Sequence, residues 1–238
     1  SALPEETLRL NEMLDGVARG EYDYIVRDVA RFLSDGTKQN LEKVEGLSFR
    51  DEKGKIYHNP PRALIANLDE LPFISEVYKK HLNIYDYFFG GAQYPVVQII
   101  SGRGCPNRCV WCVWPQALHG RTFRPRSAEN VVDELDFIAK EIPEVKDIGF
   151  EDDTFTIDQK RILEICDMIL KRGLKVSWYA NVRVGLRYET MIKMKKAGCR
   201  MMIAGFERGN QEILKNIKKG ITLEKSRRFM KDAKKAGI

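Results

Sequence analysis

Residues 95–112, with the sequence Pro-Val-Val-Gln-Ile-Ile-Ser-Gly-Arg-Gly-Cys-Pro-Asn-Arg-Cys-Val-Trp-Cys, join a short apolar run to three closely spaced cysteines. The run Pro95–Ile100 is rich in β-branched residues, which favours a strand buried in a parallel sheet. Gly102 and Gly104 end this run and allow the backbone to turn closely before Cys105. We therefore predict a buried strand whose carboxyl end leads directly into a cysteine-bearing loop.

The residues after this loop alternate between short apolar runs and segments with helical spacing of their apolar positions. We predict strands over 147–150, 176–180 and 201–204, and helices from Ser127 to Pro143 and over 158–171, 189–196, 211–218 and 223–235. Three of these helices end with a lysine two positions before a glycine, which suits a left-handed helix end (Gly173, Gly198 and Gly237). Repeated strand–helix units indicate an α/β fold with parallel strands. We expect a partial (βα) TIM-like barrel, truncated after about four βα units because Ile238 ends the chain where a fifth strand would begin.

The first 94 residues lack this alternation. Residues 5–33 have a mostly helical pattern that breaks at Gly20. Leu47–Arg50 and Lys55–His58 flank the turn sequence Asp-Glu-Lys-Gly, which predicts a β-hairpin. We therefore expect a helical and hairpin region ahead of the barrel.

The composition is typical of a globular protein, with 43% hydrophobic and 31% charged residues in 238 positions. No apolar run of about eighteen residues is present, so we predict no transmembrane segment. The first residues carry no signal-peptide pattern, and we expect a cytoplasmic protein. The net charge of +6 comes from Lys and Arg scattered along predicted helices. Such scattering is typical of solvated helix faces and does not favour nucleic acid as a partner.

The five cysteines do not suit a disulfide framework, because their number is odd and three lie within eight residues. The thiolates of Cys105, Cys109 and Cys112 can each ligate one iron of a [4Fe–4S] cluster and leave the fourth iron open. A zinc site is the alternative, and it requires a fourth ligand such as Cys166 or Cys199. Both of these lie in apolar patterns and are expected in the core, which favours the cluster.

The spacing Cys-x-x-x-Cys-x-aromatic-Cys after a strand resembles that of the radical S-adenosylmethionine (SAM) superfamily, with Trp111 at the aromatic position. The resemblance covers residues 95–238 and implies a [4Fe–4S] cluster and SAM as cofactors. Residues 150–155, 180–183 and 205–212 resemble the segments that surround SAM in this superfamily. The candidate cofactor-binding residues are therefore Trp111, Glu151, Asp152, Asp153, Asn181, Arg183, Gly205 and Glu207. Most of them follow the carboxyl ends of predicted strands, where parallel α/β folds bind their ligands.

The N-terminal part resembles the cobalamin-binding-domain subfamily in weaker stretches, at residues 2–8, 18–24, 46–51 and 67–72. This resemblance implies cobalamin as a candidate cofactor. It also implies three regions: residues 1–45 as the C-terminal remnant of a cobalamin-binding domain, 46–94 as hairpin and linker, and 95–238 as a radical SAM core that is incomplete at its C-terminus. Residues 112–117, 151–156 and 217–220 resemble the branch with hopanoid-biosynthesis proteins and anaerobic magnesium-protoporphyrin ester cyclases.

The resemblance implies an enzyme that cleaves SAM reductively to a 5′-deoxyadenosyl radical. Cobalamin-linked methylation or oxidative rearrangement of a small or lipid-like substrate would follow, with flavodoxin or ferredoxin as electron donor. Two alternatives remain open. One is a tRNA methylthiotransferase-like enzyme, although this chain has no cysteine before Cys105. The other is a non-catalytic binding module stabilised by zinc.

Overall fold

The computed structural model describes residues 3–34 and 38–238. By compactness the chain forms two units. The first consists of residues up to 66 together with 112–122, and the second of residues 67–111 and 123–238. The region boundaries expected after residues 45 and 94 stay predictions.

The described part of the first unit combines two helices with a small antiparallel sheet. The helices are α1 (Pro4–Leu10) and α2 (Asp23–Ser34), and the strands are β1 (Gly16–Ala18), β2 (Leu47–Arg50) and β3 (Ile56–His58), in the order β1-β2-β3. A 3₁₀ segment covers Lys38–Lys43, and a π-helical turn covers Pro115–His119. The predicted hairpin is confirmed. Its turn is fixed by Asp51 Oδ1, which accepts from the amides of Lys53 and Lys55 at 2.9 and 2.8 Å.

The helical pattern predicted over residues 5–33 is wrong for residues 16–18. Gly16 pairs with Phe49 and Ala18 with Leu47, so this segment forms the edge strand β1 of the hairpin sheet. Strand pairing with residues some thirty positions away overrides the local helical pattern there.

The second unit, which the structure describes in full, has an α/β fold built on a four-stranded parallel sheet of order β4-β7-β8-β9. Its strands are β4 (Val96–Ile99), β5 (Gly102–Arg103), β6 (Arg124–Pro125), β7 (Asp147–Phe150), β8 (Trp178–Val182) and β9 (Cys199–Ala204). Its helices are α3 (Ile74–His81), α4 (Ala128–Glu141), α5 (Gln159–Lys171), α6 (Tyr188–Lys196), α7 (Gln211–Asn216) and α8 (Leu223–Ala236), with 3₁₀ turns at Leu68–Glu70 and Ile84–Asp86. The predicted alternation of parallel strands and helices is confirmed, with β8 displaced by two residues.

The two faces of the parallel sheet differ in character, because successive side chains of a strand point to opposite sides. On one face Val97, Ile148 and Trp178 belong to a hydrophobic core shared with the helices. Full burial of such side chains contributes about 1.5–3 kcal/mol each. On the opposite face Gln98 and Tyr179 form a hydrogen bond across the sheet. The helix-covered face therefore stabilises the unit, and the other face carries polar groups.

The helix ends follow the predicted rules. Ser127 Oγ accepts from the amide of Asn130, and Asp158 Oδ1 accepts from the amides of Lys160 and Arg161. The three predicted terminal glycines all have positive φ, at +67°, +99° and +79° for Gly173, Gly198 and Gly237. No helix of the described residues is both long enough and apolar enough to cross a membrane.

The amino ends of the parallel strands are tied together by the buried carboxylate of Asp147. It accepts hydrogen bonds from Arg200 Nη2 at 2.6 Å, from Ser177 Oγ at 3.0 Å and from the amide of Gln93 at 3.1 Å. A fully buried carboxylate needs such partners to offset its loss of hydration. This end of the sheet has a structural role.

Candidate functional site

The cysteine loop leaves β4 at its carboxyl end and is held by groups from two other parts of the second unit. The amide of Gly104 donates to Asp153 Oδ2 at 2.9 Å, directly before Cys105. The amide of Val110 donates to the carbonyl oxygen of Ile217 at 3.1 Å, directly after Cys109. The loop is thus attached on both sides of its first two cysteines.

Cys105 and Cys109 are almost buried in this loop, with 9% and 7% of their surface exposed. Asn107 Nδ2 donates to Cys105 Sγ at 3.2 Å, and Thr154 Oγ1 lies 3.8 Å from the same sulfur. Polar groups around a sulfur stabilise a thiolate and tune an iron–sulfur cluster. The surroundings of Cys105 therefore fit an iron ligand.

The third cysteine lies in the other compact unit, because the division falls between Trp111 and Cys112. Trp111 is 57% exposed, and Cys112 is partly buried. Within residues 3–34 and 38–238, no three His, Cys, Asp or Glu side chains are grouped so that they could hold a metal ion. The assignment of all three cysteines to one cluster stays a prediction, which the donor chemistry of Cys105 suits.

Cys166 and Cys199 lie in the hydrophobic core of the second unit, as expected. Burial raises the pKa of Cys166 to about 12 and also raises the pKa of Cys199. Buried thiols of this kind behave as small apolar side chains, because the thiolate is strongly disfavoured. Neither has the surroundings of a zinc ligand.

Glu151 follows β7 and is the centre of a hydrogen-bonded group on the polar face of the sheet. Its Oε1 accepts from Gln98 Nε2 at 2.8 Å and from Tyr179 Oη at 3.3 Å, and its Oε2 accepts from Asn181 Nδ2 at 3.4 Å. Burial raises the pKa of Tyr179 to about 12, so this hydroxyl keeps its proton and remains a donor. These neutral donors orient the carboxylate without cancelling its charge, which would attract a cationic group.

Asp152 lies next to Glu151 but faces the protein interior, with 2% of its surface exposed. Oδ1 accepts from the amide of Ser101 at 2.6 Å, and Oδ2 accepts from the hydroxyl of Ser101 at 2.7 Å. Burial raises the pKa of Asp152 to about 6, although the hydrogen bonds of Ser101 and the charge of Arg161 act in the opposite direction. Both carboxylate oxygens of Asp152 therefore accept hydrogen bonds from within the protein.

Arg183 follows β8 beside an open cleft of about 260 Å³. Its amide donates to Thr156 Oγ1 at 3.0 Å, which ties the ends of β8 and β7 together. The cleft is lined by Asn107, Thr154, Thr156 and Gln159 together with apolar residues. The arginine and hydroxyl groups suit an anionic or polar ligand.

Gly205 and Glu207 follow β9 and are joined through Lys219. Glu207 Oε1 accepts from Lys219 Nζ at 2.5 Å, and Glu207 itself has a left-handed backbone with φ of +61°. A Cβ atom at position 205 would lie 2.6 Å from that carboxylate oxygen and 2.9 Å from Lys219 Nζ. Any side chain at 205 would therefore displace the ends of the Glu207 and Lys219 side chains from their present ion pair.

The carboxyl ends of the four parallel strands thus bring together Cys105, Glu151, Asp152, Asp153, Asn181, Arg183 and Glu207 on one side of the second unit. The partners Gln98, Tyr179, Arg161 and Lys219 were not predicted. Gln98 offered a signal, because it is the polar residue within the apolar run of β4. The roles of the other three depend on contacts between residues far apart in sequence.

Comparison with known families decides the classification. The family model described as the radical SAM superfamily matches residues 99–238. This chain belongs to the radical SAM superfamily. The match begins on β4 and includes all strands and helices of the parallel sheet that follow it. The resemblance inferred from the cysteine spacing is confirmed, and with it the [4Fe–4S] cluster and SAM as the cofactors of the family.

Similar proteins extend the likeness to the whole chain. An uncharacterized methyltransferase of Pyrococcus horikoshii is 38% identical over 236 residues, which are 99% of this chain and 49% of that protein. The anaerobic magnesium-protoporphyrin IX monomethyl ester cyclase of Rubrivivax gelatinosus is 28% identical over 98% of this chain and 41% of its own length. The radical SAM chain described here therefore spans half or less of the curated relatives it matches.

A solved structure confirms the fold. The apo form of the cobalamin-dependent S-adenosylmethionine radical enzyme OxsB superposes with a TM-score of 0.79 and 25% identity, over 100% of this chain and 34% of that one. The likeness includes the first unit as well as the parallel sheet. The predicted radical SAM fold, with a hairpin-containing region ahead of it, is confirmed.

Proposed function

We propose that this chain forms the cluster- and SAM-binding core of a radical SAM enzyme, with Cys105, Cys109 and Cys112 as the iron ligands. The observation that carries the proposal is the attachment of the cysteine loop at two points: to the segment after β7 through Gly104–Asp153, and to the end of α7 through Val110–Ile217. The cluster, when bound, supplies the electron that cleaves SAM and releases a 5′-deoxyadenosyl radical, which takes hydrogen from a substrate C–H bond. The chain's own residues bind the cluster and SAM and orient SAM for cleavage.

Two oppositely charged side chains suit the ends of the SAM amino-acid moiety. Glu151 presents a carboxylate held by neutral donors, which fits the ammonium group of SAM. Arg183 lies beside the open cleft, and its guanidinium fits a carboxylate. Gly205, Asn181 and Trp111 are proposed as further contacts with the cofactor.

For the whole protein we propose cobalamin-linked methylation or oxidative rearrangement of a small or lipid-like substrate. The methyltransferase and cyclase names of the similar proteins support this reaction class, and the cobalamin dependence stated for OxsB supports cobalamin as a further cofactor. Cleavage of SAM consumes one electron, so we propose an electron donor such as flavodoxin or ferredoxin. A cytoplasmic location is proposed because iron ligation by Cys105, Cys109 and Cys112 needs reduced thiols, which a reducing compartment maintains.

The test is anaerobic reconstitution with iron and sulfide, followed by reduction and electron paramagnetic resonance (EPR) with and without SAM. We expect a [4Fe–4S]⁺ signal that changes when SAM is added and is lost in Cys109→Ala. Cys166→Ala is the matched control, since Cys166 lies in the hydrophobic core, and it should retain the signal. Folded protein that takes up zinc but no cluster would contradict the proposal.

A further inference from the structure

The segment Ile100–Gly104, which leads from β4 into the cysteine loop, is held by a set of buried charged side chains. These side chains surround Ser101, which is completely buried. Its amide and hydroxyl donate to Asp152, and its carbonyl oxygen accepts from Arg161 Nη2 at 2.6 Å and from the amide of Arg126 at 2.9 Å. Every polar group of Ser101 is therefore paired.

Arg126 and Arg161 are held in place by further hydrogen bonds. Arg126 Nη1 donates to the carbonyl oxygen of Ile100 at 2.9 Å and to the buried carboxylate of Glu134 on α4. Arg161 Nε donates to the carbonyl oxygen of Arg126 at 2.8 Å. Glu134 also accepts from the amide and the hydroxyl of Ser75, both at 3.0 Å, at the start of α3. A continuous buried network thus connects α3 and α4 with the chain just before Cys105.

The position of Asp152 excludes a direct contact with a ligand in this arrangement. Its two oxygens are both occupied by Ser101, and its side chain is enclosed by the protein. The neighbouring Glu151 is partly exposed on the polar face of the sheet, and Asp153 holds Gly104. The three consecutive carboxylates therefore differ in what they can do.

We propose that Asp152 is a positioning residue, which acts through Ser101 to fix the direction in which the chain enters the cysteine loop. This inference rests on the proposed function for its catalytic meaning, but the positioning itself can be measured without any cofactor. A charge-assisted hydrogen bond to a buried backbone amide is among the stronger contacts that can hold a loop. Loss of it should loosen residues 100–105 locally.

Asp147 offers a matched control at the opposite end of the same strand. Each of these two carboxylates is buried, and each accepts from a backbone amide and from a serine hydroxyl. Ser101 supplies both groups for Asp152, and Gln93 and Ser177 supply them for Asp147. Asp147 also accepts from Arg200 Nη2 at 2.6 Å, so the two sites differ in this ion pair as well as in their distance along β7 from the cysteine loop. Asp152→Asn and Asp147→Asn therefore separate a local effect on the loop from a general loss of stability.

The primary experiment is hydrogen–deuterium exchange of the apo protein, read by mass spectrometry. In Asp152→Asn, peptides covering residues 99–105 should exchange about tenfold faster than in the wild type, as expected for one lost hydrogen bond to a charged group. In Asp147→Asn these peptides should be unchanged, while those containing Gln93 exchange faster. Unchanged exchange of 99–105 in Asp152→Asn, or an equal increase in Asp147→Asn, would overturn the proposal.

Ser101→Ala is the milder variant, to be used if Asp152→Asn does not fold. It removes one donor of the pair and should accelerate exchange in the same peptides by a smaller factor. Its failure to do so would count against the proposal in the same way.

A second readout uses the reconstituted protein. With equal cluster content, Asp152→Asn should alter the SAM-induced change of the EPR spectrum, and Asp147→Asn should leave it as in the wild type. A spectrum of Asp152→Asn identical to that of the wild type would overturn the positioning role. If the wild type itself forms no SAM-responsive cluster, the proposed function fails, while the exchange experiment still decides the role of Asp152.

Discussion

Replacement of Gly198 by alanine should destabilise the second unit far more than the same change at Gly173. Both glycines follow the last turn of a helix, and both have a left-handed backbone, with φ of +99° and +67°. A Cβ atom at 198 would lie 2.0 Å from the carbonyl oxygen of Val176 and 3.1 Å from its carbonyl carbon. At 173 it would meet nothing within 4 Å.

The left-handed backbone alone costs an alanine about 1 kcal/mol at either position. At 198 the clash is with backbone and can be relieved only by moving the start of β8, where the amide of Trp178 donates to the carbonyl oxygen of Gly198 at 3.1 Å. Overpacking adds about 1–3 kcal/mol, and the lost hydrogen bond adds about 1 kcal/mol. We therefore expect a loss of about 1 kcal/mol for Gly173→Ala and about 3–5 kcal/mol for Gly198→Ala.

The assay is thermal and urea unfolding of the apo protein, followed by circular dichroism. For a chain of this size each kcal/mol lowers the melting temperature by about 2–4 °C, so the two variants should differ by about 4 °C or more. Losses in the free energy of unfolding that agree within about 1 kcal/mol would refute the reasoning from backbone contact.

Three further predictions concern the interior of the same unit. Gly149→Ala should destabilise it by about 1–3 kcal/mol, because the new Cβ would lie 2.3 Å from Tyr179 Oη; unfolding at wild-type stability would contradict this. Burial raises the pKa of Asp152 to about 6, against an ordinary value of 3.8. Between about pH 4 and 6 the folded state therefore keeps a proton on Asp152 that the unfolded state has lost. This group should lower the free energy of unfolding by up to about 3 kcal/mol as the pH rises from about 4 to 6. Urea unfolding of wild type and Asp152→Asn across that range measures it, and a stability difference that does not vary with pH would be the contrary result. Because burial raises the pKa values of Cys166 and Cys199, both thiols should resist iodoacetamide at pH 8 until the protein unfolds, which peptide mass spectrometry can follow; rapid labelling of either in the native protein would argue against its place in the core.

The parallel sheet could be predicted from the sequence because its signals are local. The apolar runs, the helix start at Ser127 and the terminal glycines each act within a few residues, and the structure has strands, a cap and left-handed helix ends at or within two residues of the predicted positions. The strand β1 could not be predicted, since Gly16–Ala18 is a strand only by pairing with β2. Local patterns describe local structure, and an edge strand of three residues depends on its partner.

The sequence was sufficient to predict that the site residues lie at the carboxyl ends of the strands. It was not sufficient to predict what each of these residues contacts. Glu151, Asp152 and Asp153 are equivalent in the sequence as consecutive acids after an apolar strand. Their different environments arise from the path of the backbone, which turns Asp152 toward Ser101 and Asp153 toward Gly104. Partners such as Arg161 and Lys219 reach the site from other helices and loops, so no short-range pattern indicates them.

The hydrogen bond from Val110 to Ile217 has a consequence for the order of events during synthesis. The two residues are separated by more than a hundred positions, so the segment after Cys109 emerges from the ribosome long before its backbone partner exists. Until α7 has formed, the backbone hydrogen bond that follows Cys109 cannot exist. The loop is therefore supported on both sides of Cys105 and Cys109 only after β9 and α7 have been translated.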